Sequence, residues 1–201
     1  MRTSMTDDEL TRRPPALDAI LAETRALGFT MASEPKVGAF LAALAASKPA
    51  GRLLELGTGT GHGTSWLLFG MDQRSTLDTV DNDANVSAIA KRNLGSDFRV
   101  TFHIADGIDF LERAPRETFD LIYADAWPGK FSHLDEALAL LRPGGIYAID
   151  DLLPQANWPE GHAPKVPLLI DDLERRPEFV TTRLAWASGV MLVVRSATRV
   201  P

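Results

Sequence analysis

The feature that most constrains the fold is a regular alternation of short apolar segments and amphipathic segments that follows Arg52. Two of the apolar segments, 121–124 and 146–149, are continuously apolar, which is typical of strands in a parallel sheet that is covered on both faces. Such alternation predicts right-handed β-α-β units and a doubly wound α/β sheet with helices on both faces. We predict strands near 52–57, 77–81, 98–104, 119–125 and 144–150, and helices at 63–71, 84–94, 107–113, 131–141 and 165–176.

The end of the chain breaks this alternation. Residues 179–184 and 190–195 have the composition of two strands, and only the segment 185–189 separates them. That segment is too short for a crossover helix, so the pattern predicts an antiparallel hairpin with Gly189 near its turn.

The segment before Arg52 is predicted to be helical. Apolar residues at helical spacing predict a helix over 17–27 that ends at Gly28, and Ser33 is the predicted N-cap of a second helix with Pro35 in its first turn. We therefore expect a single domain over residues 1–201, with a helical extension at 1–50 and a ligand-binding core at 51–201.

Composition excludes several classes of protein. The chain of 201 residues contains no cysteine, so it has neither a disulfide framework nor a thiolate zinc site. No apolar run is long enough to span a bilayer and the start lacks an apolar signal core, which predicts a cytoplasmic protein without a membrane partner. The net charge of −6 argues against nucleic acid as the main partner, although a local basic groove stays open.

A glycine-rich turn joins the first predicted strand of the core to its helix. Gly57, Gly59 and Gly61 remove side chains from this turn, so that backbone can approach a flat ligand. The dinucleotide fingerprint G-x-G-x-x-G does not fit, because its last position, counted from Gly57, is His62. The chain also lacks the phosphate-binding loop that ends in Gly-Lys-Ser/Thr. The pattern that fits is E-x-G-x-G-x-G, which begins at Glu55.

This pattern resembles the first motif of class I methyltransferases, which bind S-adenosylmethionine. Five parallel strands followed by an antiparallel pair are also similar to the fold of that family, and the resemblance covers the chain from about residue 31 onward. It implies a seven-stranded Rossmann-like sheet with strand order 3-2-1-4-5-7-6, in which the last strand is antiparallel.

Several residues are predicted to bind the cofactor. Asp81 ends the second strand, where a carboxylate can accept from both ribose hydroxyls; its alternative role is in a turn or helix cap. The resemblance implies that Asp106 accepts from the adenine amino group, unless it only caps a helix, and that Glu55 holds the loop and the ammonium end. The segment 31–38 resembles the part of catechol-type O-methyltransferases that covers the methionine end of the cofactor. The predicted cofactor residues are Met31, Ser33, Glu55, Gly57, Thr58, Gly59, Gly61, Thr64, Asp81, Asn82, Ala105, Asp106, Gly107, Asp125 and Trp127.

Three carboxylates are predicted to meet at one edge of the sheet. Asp125 follows the fourth strand, and Asp150 and Asp151 follow the fifth. Carboxylates gathered in this way repel one another unless a positive charge lies between them, and Mg²⁺ accepts such oxygen ligands. Here the resemblance narrows to the metal-dependent catechol and caffeoyl-coenzyme A O-methyltransferases, in which asparagine usually stands at the position of Asp151. We therefore predict a divalent metal site, with the alternative that the three aspartates are structural.

The predicted reaction is methyl transfer from S-adenosylmethionine to a hydroxyl of a small acceptor, which could be aromatic. Asp125 and Lys130 are the predicted catalytic residues, Lys130 as general base, with His133 or His162 as alternatives. Trp127 and Trp158 could stack on a planar acceptor or contact a partner subunit, and the resemblance implies a homodimer. The alternatives are methylation of a hydroxylated nucleoside in transfer RNA, an NAD(P)-dependent oxidoreductase, and a cofactor-binding protein without catalysis.

Overall fold

A computed structural model describes residues 12–197 as an α/β structure built on one sheet. The predicted single domain also includes residues 1–11 and 198–201, which lie outside the described residues. The strands are β1 (Arg52–Leu56), β2 (Thr76–Asp81), β3 (Val100–Ile104), β4 (Phe119–Ala124), β5 (Leu141–Ile149), β6 (Phe179–Leu184) and β7 (Val190–Arg195). The helices are α1 (Leu17–Leu27), α2 (Pro35–Ala46), α3 (His62–Gly70), α4 (Ala84–Leu94), α5 (Gly107–Arg113), α6 (Leu134–Ala139) and α7 (Lys165–Glu174).

The sheet has the strand order β3-β2-β1-β4-β5-β7-β6. Strands β1 to β5 pair in parallel, whereas β7 is antiparallel to both of its neighbours, β5 and β6. The predicted fold, with its order 3-2-1-4-5-7-6 and its antiparallel last strand, is confirmed. Because the order reverses between β1 and β4, the edge at their carboxyl ends is where a doubly wound sheet binds its ligand.

Both faces of the sheet are covered by helices. Successive residues of a strand point to opposite faces, and Leu53 of β1 packs in one apolar cluster while Leu54 packs in the other. Helices α1 to α4 contribute to the cluster of Leu53, and helices α5 to α7 contribute to that of Leu54. Leu53 and Leu54 are both fully buried. Burial on both faces explains why the central strands are apolar along their whole length.

Several boundaries differ from the prediction by one or more residues, and three of the differences have a structural description. Helix α6 is shorter than 131–141, because His133 before it has a left-handed backbone (φ 52°) that a helix cannot continue. Strand β5 begins at Leu141 rather than near 144, since Leu141 pairs with Phe119 before a register shift in β4. Glu34, and not Ser33, is the N-cap of α2, and its side chain makes no capping hydrogen bond.

The ends of α1 and of the β6–β7 hairpin are as predicted. Helix α1 ends at Gly28, which has a left-handed backbone (φ 73°). Gly189 in the hairpin turn is also left-handed (φ 84°), and a Cβ atom there would lie 2.4 Å from the backbone nitrogen of Leu153. The turn therefore packs directly against the chain that leaves β5. No helix of the described part of the chain is long and apolar enough to cross a membrane.

Candidate active site

A cavity of about 290 Å³ lies at the carboxyl ends of β1, β2 and β4, and is called the rim cavity below. The glycine-rich turn, the end of β2, the end of β4 and the connection between α1 and α2 form its walls. Its lining residues are Phe29, Met31, Ala32, Ser33, Gly57, Thr58, Gly59, Thr60, His62, Gly63, Asp81, Asn82, Asp125, Ala126 and Asp151. The glycine-rich turn, which was predicted to approach a flat ligand, thus borders a cavity at the edge of the sheet where a ligand is expected.

Gly57 and Gly59 have different roles in the glycine-rich turn. A Cβ atom on Gly57 (φ 102°) would lie 2.8 Å from the carbonyl oxygen of Asp125, so glycine is needed for β1 and β4 to end side by side. A Cβ atom on Gly59 (φ 51°) would have only Phe29 near it, at 3.6 Å. Gly59 therefore leaves backbone open to the rim cavity, whereas Gly57 is required by packing.

Asp81 lies in the wall of the rim cavity and is tied to the glycine-rich turn. Its Oδ2 accepts from the backbone N–H of Gly59 at 2.7 Å, and its Oδ1 accepts from that of Asp83 at 2.9 Å. Asp83, not Asp81, caps helix α4. The carboxylate of Asp81 is therefore held beside the open backbone of Gly59, and Asn82 next to it also lines the cavity.

Glu55 is fully buried beneath the turn and lines no part of the rim cavity. Its Oε2 accepts from the hydroxyl of Thr64 at 2.5 Å and from that of Thr79 at 2.7 Å, and Thr79 is in turn 2.6 Å from the hydroxyl of Thr58. Its Oε1 has no hydrogen-bond partner among the described residues. Burial raises the pKa of Glu55 to about 8, so the side chain is largely protonated at neutral pH.

Seven predicted cofactor residues lie outside the walls of the rim cavity: Glu55, Gly61, Thr64, Ala105, Asp106, Gly107 and Trp127. Glu55 and Thr64 hold the turn together from below, as described above. Asp106 accepts from the backbone N–H of Ile108 at 2.8 Å and caps α5, which is the alternative role considered for it. Trp127 is 39% exposed, and the amino group of Lys165 lies 5.4 Å from the centre of its ring.

A smaller space of about 50 Å³, called the side chamber below, adjoins the rim cavity. The two spaces share five lining residues: Met31, Ala32, Ser33, Asp125 and Asp151. The other residues of the side chamber are Glu34, Asp150, Gln155, Asn157 and Ser188. Gln155 and Asn157 belong to the long segment after β5, and the side-chain amide of Asn157 donates to the carbonyl oxygen of Thr30 at 2.8 Å. That contact joins this segment to the connection between α1 and α2.

A hydrogen-bond network joins the two spaces. The hydroxyl oxygen of Tyr123 lies 2.8 Å from Oδ2 of Asp150, 3.1 Å from Oδ2 of Asp125 and 3.1 Å from Oγ of Ser33. Ser33 donates to Asp125 at 3.0 Å, and Ser188 donates to Oδ1 of Asp150. Tyr123 has a single hydroxyl proton for three oxygen neighbours. The network is therefore fully satisfied when one of the two carboxyl groups carries a proton.

The pKa values of these groups agree with one proton being held by the two carboxyl groups. Burial, reinforced by the charge of Asp150, raises the pKa of Asp125 to about 7. Burial also raises the pKa of Asp150, although hydrogen bonds from Ser188 and Tyr123 oppose the change. Burial and the neighbouring carboxylates raise the pKa of Tyr123 well above 10, so its hydroxyl stays protonated.

The predicted general bases do not line either space. Lys130 is 3% exposed, and its Nζ donates to the backbone carbonyl oxygen of Asp150 at 3.0 Å. The Nε2 of His162 lies 3.0 Å from the backbone carbonyl oxygen of Asp151, and the ring of His162 stacks on Trp158. His133 precedes α6, with its Nε2 3.8 Å from the carboxylate of Glu112. None of these three side chains lines the rim cavity or the side chamber.

The donor set does not fit the predicted metal. Mg²⁺ needs several oxygen atoms with lone pairs free to face it. Both carboxylate oxygens of Asp150 already accept hydrogen bonds, from Ser188 and the N–H of Asp151 on one side and from Tyr123 on the other. Across residues 12–197, no group of three His, Cys, Asp or Glu side chains is arranged to hold a metal ion. The structure thus brings Asp125, Asp150 and Asp151 to one edge without arranging them as ligands.

Three residues that matter here were not singled out from the sequence. Tyr123 is on β4 and lies two residues before Asp125, so the alternation of side chains along extended backbone could have revealed it. Ser188 comes from the hairpin turn, and no local pattern indicates its contact with Asp150. His62, the first residue of α3, lines the rim cavity with both ring nitrogens unpartnered among the described residues. Burial lowers the pKa of His62 to about 4, so its ring is neutral.

Comparisons with known proteins agree with this architecture. A family model described as a methyltransferase domain matches residues 54–152. The catechol O-methyltransferase of Mycobacterium tuberculosis is 30% identical over 152 residues, which are 73% of this chain and 69% of that protein. The catechol O-methyltransferase of Niastella koreensis is 31% identical over 147 residues, which are 68% of this chain and 66% of that protein.

The whole fold also matches solved structures. A cofactor-bound crystal structure of Rv0187 from MTB superimposes with a TM-score of 0.83 at 25% identity, and the match covers 96% of this chain and 94% of that one. In sequence, by contrast, the match spans 62% of the length of a relative from Mycolicibacterium vanbaalenii and 66% of the Niastella protein. The family that the glycine-rich turn resembles is thereby confirmed: the chain belongs to the class I S-adenosylmethionine-dependent methyltransferases, among the relatives of the catechol O-methyltransferases.

Proposed function

We propose that this protein is an S-adenosylmethionine-dependent O-methyltransferase that methylates a hydroxyl group of a small acceptor. The observation that carries the proposal is the pair of adjoining spaces, the rim cavity and the side chamber, with Asp125 in the wall of both. One space takes the methyl donor and the other takes the hydroxyl group, so the reacting atoms are held side by side.

The rim cavity suits the donor at each of its ends. Asp81 offers a carboxylate to the ribose hydroxyls, beside the open backbone of Gly59. The first residues of α3, His62 and Gly63, also line this cavity. Free N–H groups at a helix N-terminus favour a carboxylate, which S-adenosylmethionine carries at its methionine end.

The proposed reaction is a direct displacement. A lone pair of the acceptor oxygen attacks the sulfonium methyl carbon, and the carbon–sulfur bond breaks with its electron pair left on sulfur. The hydroxyl proton passes to the carboxylate of Asp125, whose pKa near 7 suits a general base at neutral pH. Since the sulfonium is already a reactive donor, alignment of the two reactants supplies most of the acceleration.

The side chamber limits which part of an acceptor enters. Its volume of about 50 Å³ and its carboxylate, amide and hydroxyl walls suit the hydroxylated end of a molecule. We therefore propose that the rest of the acceptor, aromatic or not, contacts Met31, which is 50% exposed, and the segment that carries Gln155 and Asn157.

The remaining predictions concern the metal, the oligomeric state, the cellular location and the class of reaction. The divalent metal is not part of the proposal, because protein donors already bind both oxygens of Asp150 and the Oδ2 of Asp125. The homodimer and the cytoplasmic location stay predictions, and size-exclusion chromatography with light scattering would test the first of them. An oxidoreductase is disfavoured by the antiparallel β7 and by the family to which the chain belongs.

Calorimetry with S-adenosylmethionine, S-adenosylhomocysteine and NADH tests the cofactor. We expect micromolar binding of the first two compounds and none of NADH; failure of both sulfur nucleosides to bind at millimolar concentration would refute the proposal.

Transfer of a labelled methyl group to catechol, to other small hydroxylated compounds and to bulk transfer RNA then tests the acceptor. Labelling of transfer RNA alone would favour the nucleoside alternative, and binding without any transfer would favour a protein that has lost catalysis.

A further inference from the structure

The hydroxyl of Tyr123 occupies the centre of the acidic network. It contacts three oxygen atoms, one each from Ser33, Asp125 and Asp150, at 2.8 to 3.1 Å. The ring behind it is 1% exposed, and a Cβ atom on Gly63 would lie 3.1 Å from that ring. The buried ring therefore packs against Gly63 of α3, and its hydroxyl lies within hydrogen-bond distance of both carboxyl groups.

The carboxylate of Asp150 already accepts three hydrogen bonds from protein donors. Ser188 and the backbone N–H of Asp151 donate to one oxygen, and Tyr123 donates to the other. Asp150 is 2% exposed, so water cannot readily replace these donors. A cation placed between the Oδ2 atoms of Asp125 and Asp150 would have to displace the hydroxyl of Tyr123, which would then be left buried without a partner.

A protein cation already lies beside the same carboxyl groups. Lys130 is 3% exposed, its Nζ donates to the backbone carbonyl oxygen of Asp150, and the face of Phe131 lies 5.6 Å from it. Its charge favours the ionised forms of both Asp125 and Asp150. A buried ammonium at a fixed position supplies the positive charge that grouped carboxylates require.

Resting on the proposed function, we propose that Tyr123 and Lys130 together do what a divalent cation does in metal-dependent members of this family. Tyr123 joins Ser33, Asp125 and Asp150 into one rigid wall between the rim cavity and the side chamber, and Lys130 offsets their charge. Methyl transfer in this protein then needs no divalent metal. Both side chains are positioning residues, since neither lines the spaces that hold the reactants.

The first test measures metal binding and metal dependence in the wild-type protein. After passage over a chelating resin, calorimetry with Mg²⁺ and with Mn²⁺ in the presence of S-adenosylhomocysteine should show no binding up to millimolar concentration. Methyl transfer should change by less than about twofold when a chelator is added. Micromolar binding of either cation, or a loss of more than tenfold in turnover that Mg²⁺ restores, would overturn the inference.

The second test removes the two side chains. Tyr123→Phe deletes only the hydroxyl and should lower kcat about tenfold while the Kd of S-adenosylmethionine changes less than twofold. Lys130→Met keeps the length of the side chain without its charge, and it should lower kcat to a similar extent. A kcat equal to that of the wild type in either variant would remove that residue from the proposal.

Tyr147→Phe is the matched control. Tyr147 is equally buried, and its hydroxyl donates to the backbone carbonyl oxygen of Gly129, outside the acidic network. Thermal unfolding of the Tyr147→Phe variant measures how much stability the loss of a buried hydroxyl costs when the acidic network is intact. If no methyl transfer is found with any acceptor, metal calorimetry still decides this inference, whereas calorimetry with S-adenosylmethionine separately decides the proposed function.

Discussion

Replacing Glu55 with glutamine should change how the stability of the protein depends on pH. Burial raises the pKa of Glu55 from 4.5 to about 8 in the folded protein. The unfolded chain therefore releases this proton near pH 4.5, while the folded chain keeps it until about pH 8. Since the unfolded state binds fewer protons in this window, the wild-type free energy of unfolding falls as pH rises, by about 1.4 kcal/mol per unit from this group.

Glutamine is neutral at every pH, and its side chain has nearly the same shape as that of glutamate. Its carbonyl oxygen can accept from the hydroxyls of Thr64 and Thr79, as Oε2 of Glu55 does. Its amide nitrogen takes the place of Oε1, which has no partner among the described residues, so any cost of burying it is the same at each pH. We expect Glu55→Gln to gain about 2–3 kcal/mol relative to the wild type between pH 5.5 and pH 7.5.

Urea denaturation followed by intrinsic tryptophan fluorescence at both pH values gives the two free energies of unfolding. Taking the difference between variant and wild type cancels the contributions of Asp125 and Asp150, whose raised pKa values act in the same direction. Glu136→Gln, on the exposed face of α6, controls for the substitution itself. If the difference between Glu55→Gln and the wild type is the same at both pH values, the carboxyl group titrates as in water and the reasoning is wrong.

Three further substitutions test the packing and the binding surface. Gly38→Ala places a Cβ atom 2.2 Å from the ring of Trp66, so we expect thermal unfolding to show a loss of about 1–3 kcal/mol of stability. Gly57→Ala drives a Cβ atom against the carbonyl oxygen of Asp125 at a backbone conformation that alanine avoids, and calorimetry should show S-adenosylmethionine affinity reduced at least about tenfold. Asp81→Asn removes the charge that we assign to the ribose contact. We expect about tenfold weaker binding of S-adenosylmethionine and a melting temperature only a few degrees lower. Unchanged affinity would contradict that role.

The fold was predictable because it follows from periodicity. Apolar strands alternating with helices indicated the sheet, and a linker too short for a helix indicated the antiparallel pair. The boundaries were less accurate where one residue adopts an unusual backbone. A left-handed His133 before α6, for example, has no signal in a pattern of apolar residues.

The candidate site was predictable only in part. Strand ends revealed Asp81, Asp125 and Asp150, because topology brings such positions to one edge. Whether a carboxylate faces a metal or a hydroxyl depends on side chains from distant parts of the chain, such as Tyr123 and Ser188. Those contacts are tertiary, and no local motif encodes them.

The wall between the two spaces depends on residues from both ends of the described chain. It is assembled from Ser33, Asp125, Asp150 and Ser188 around the hydroxyl of Tyr123, and these positions are spread over most of the chain. Ser188 comes from the β6–β7 turn, so Asp150 lacks one of its donors until that turn packs against the chain that leaves β5. The wall is therefore complete only when nearly the whole of the described chain has taken its place.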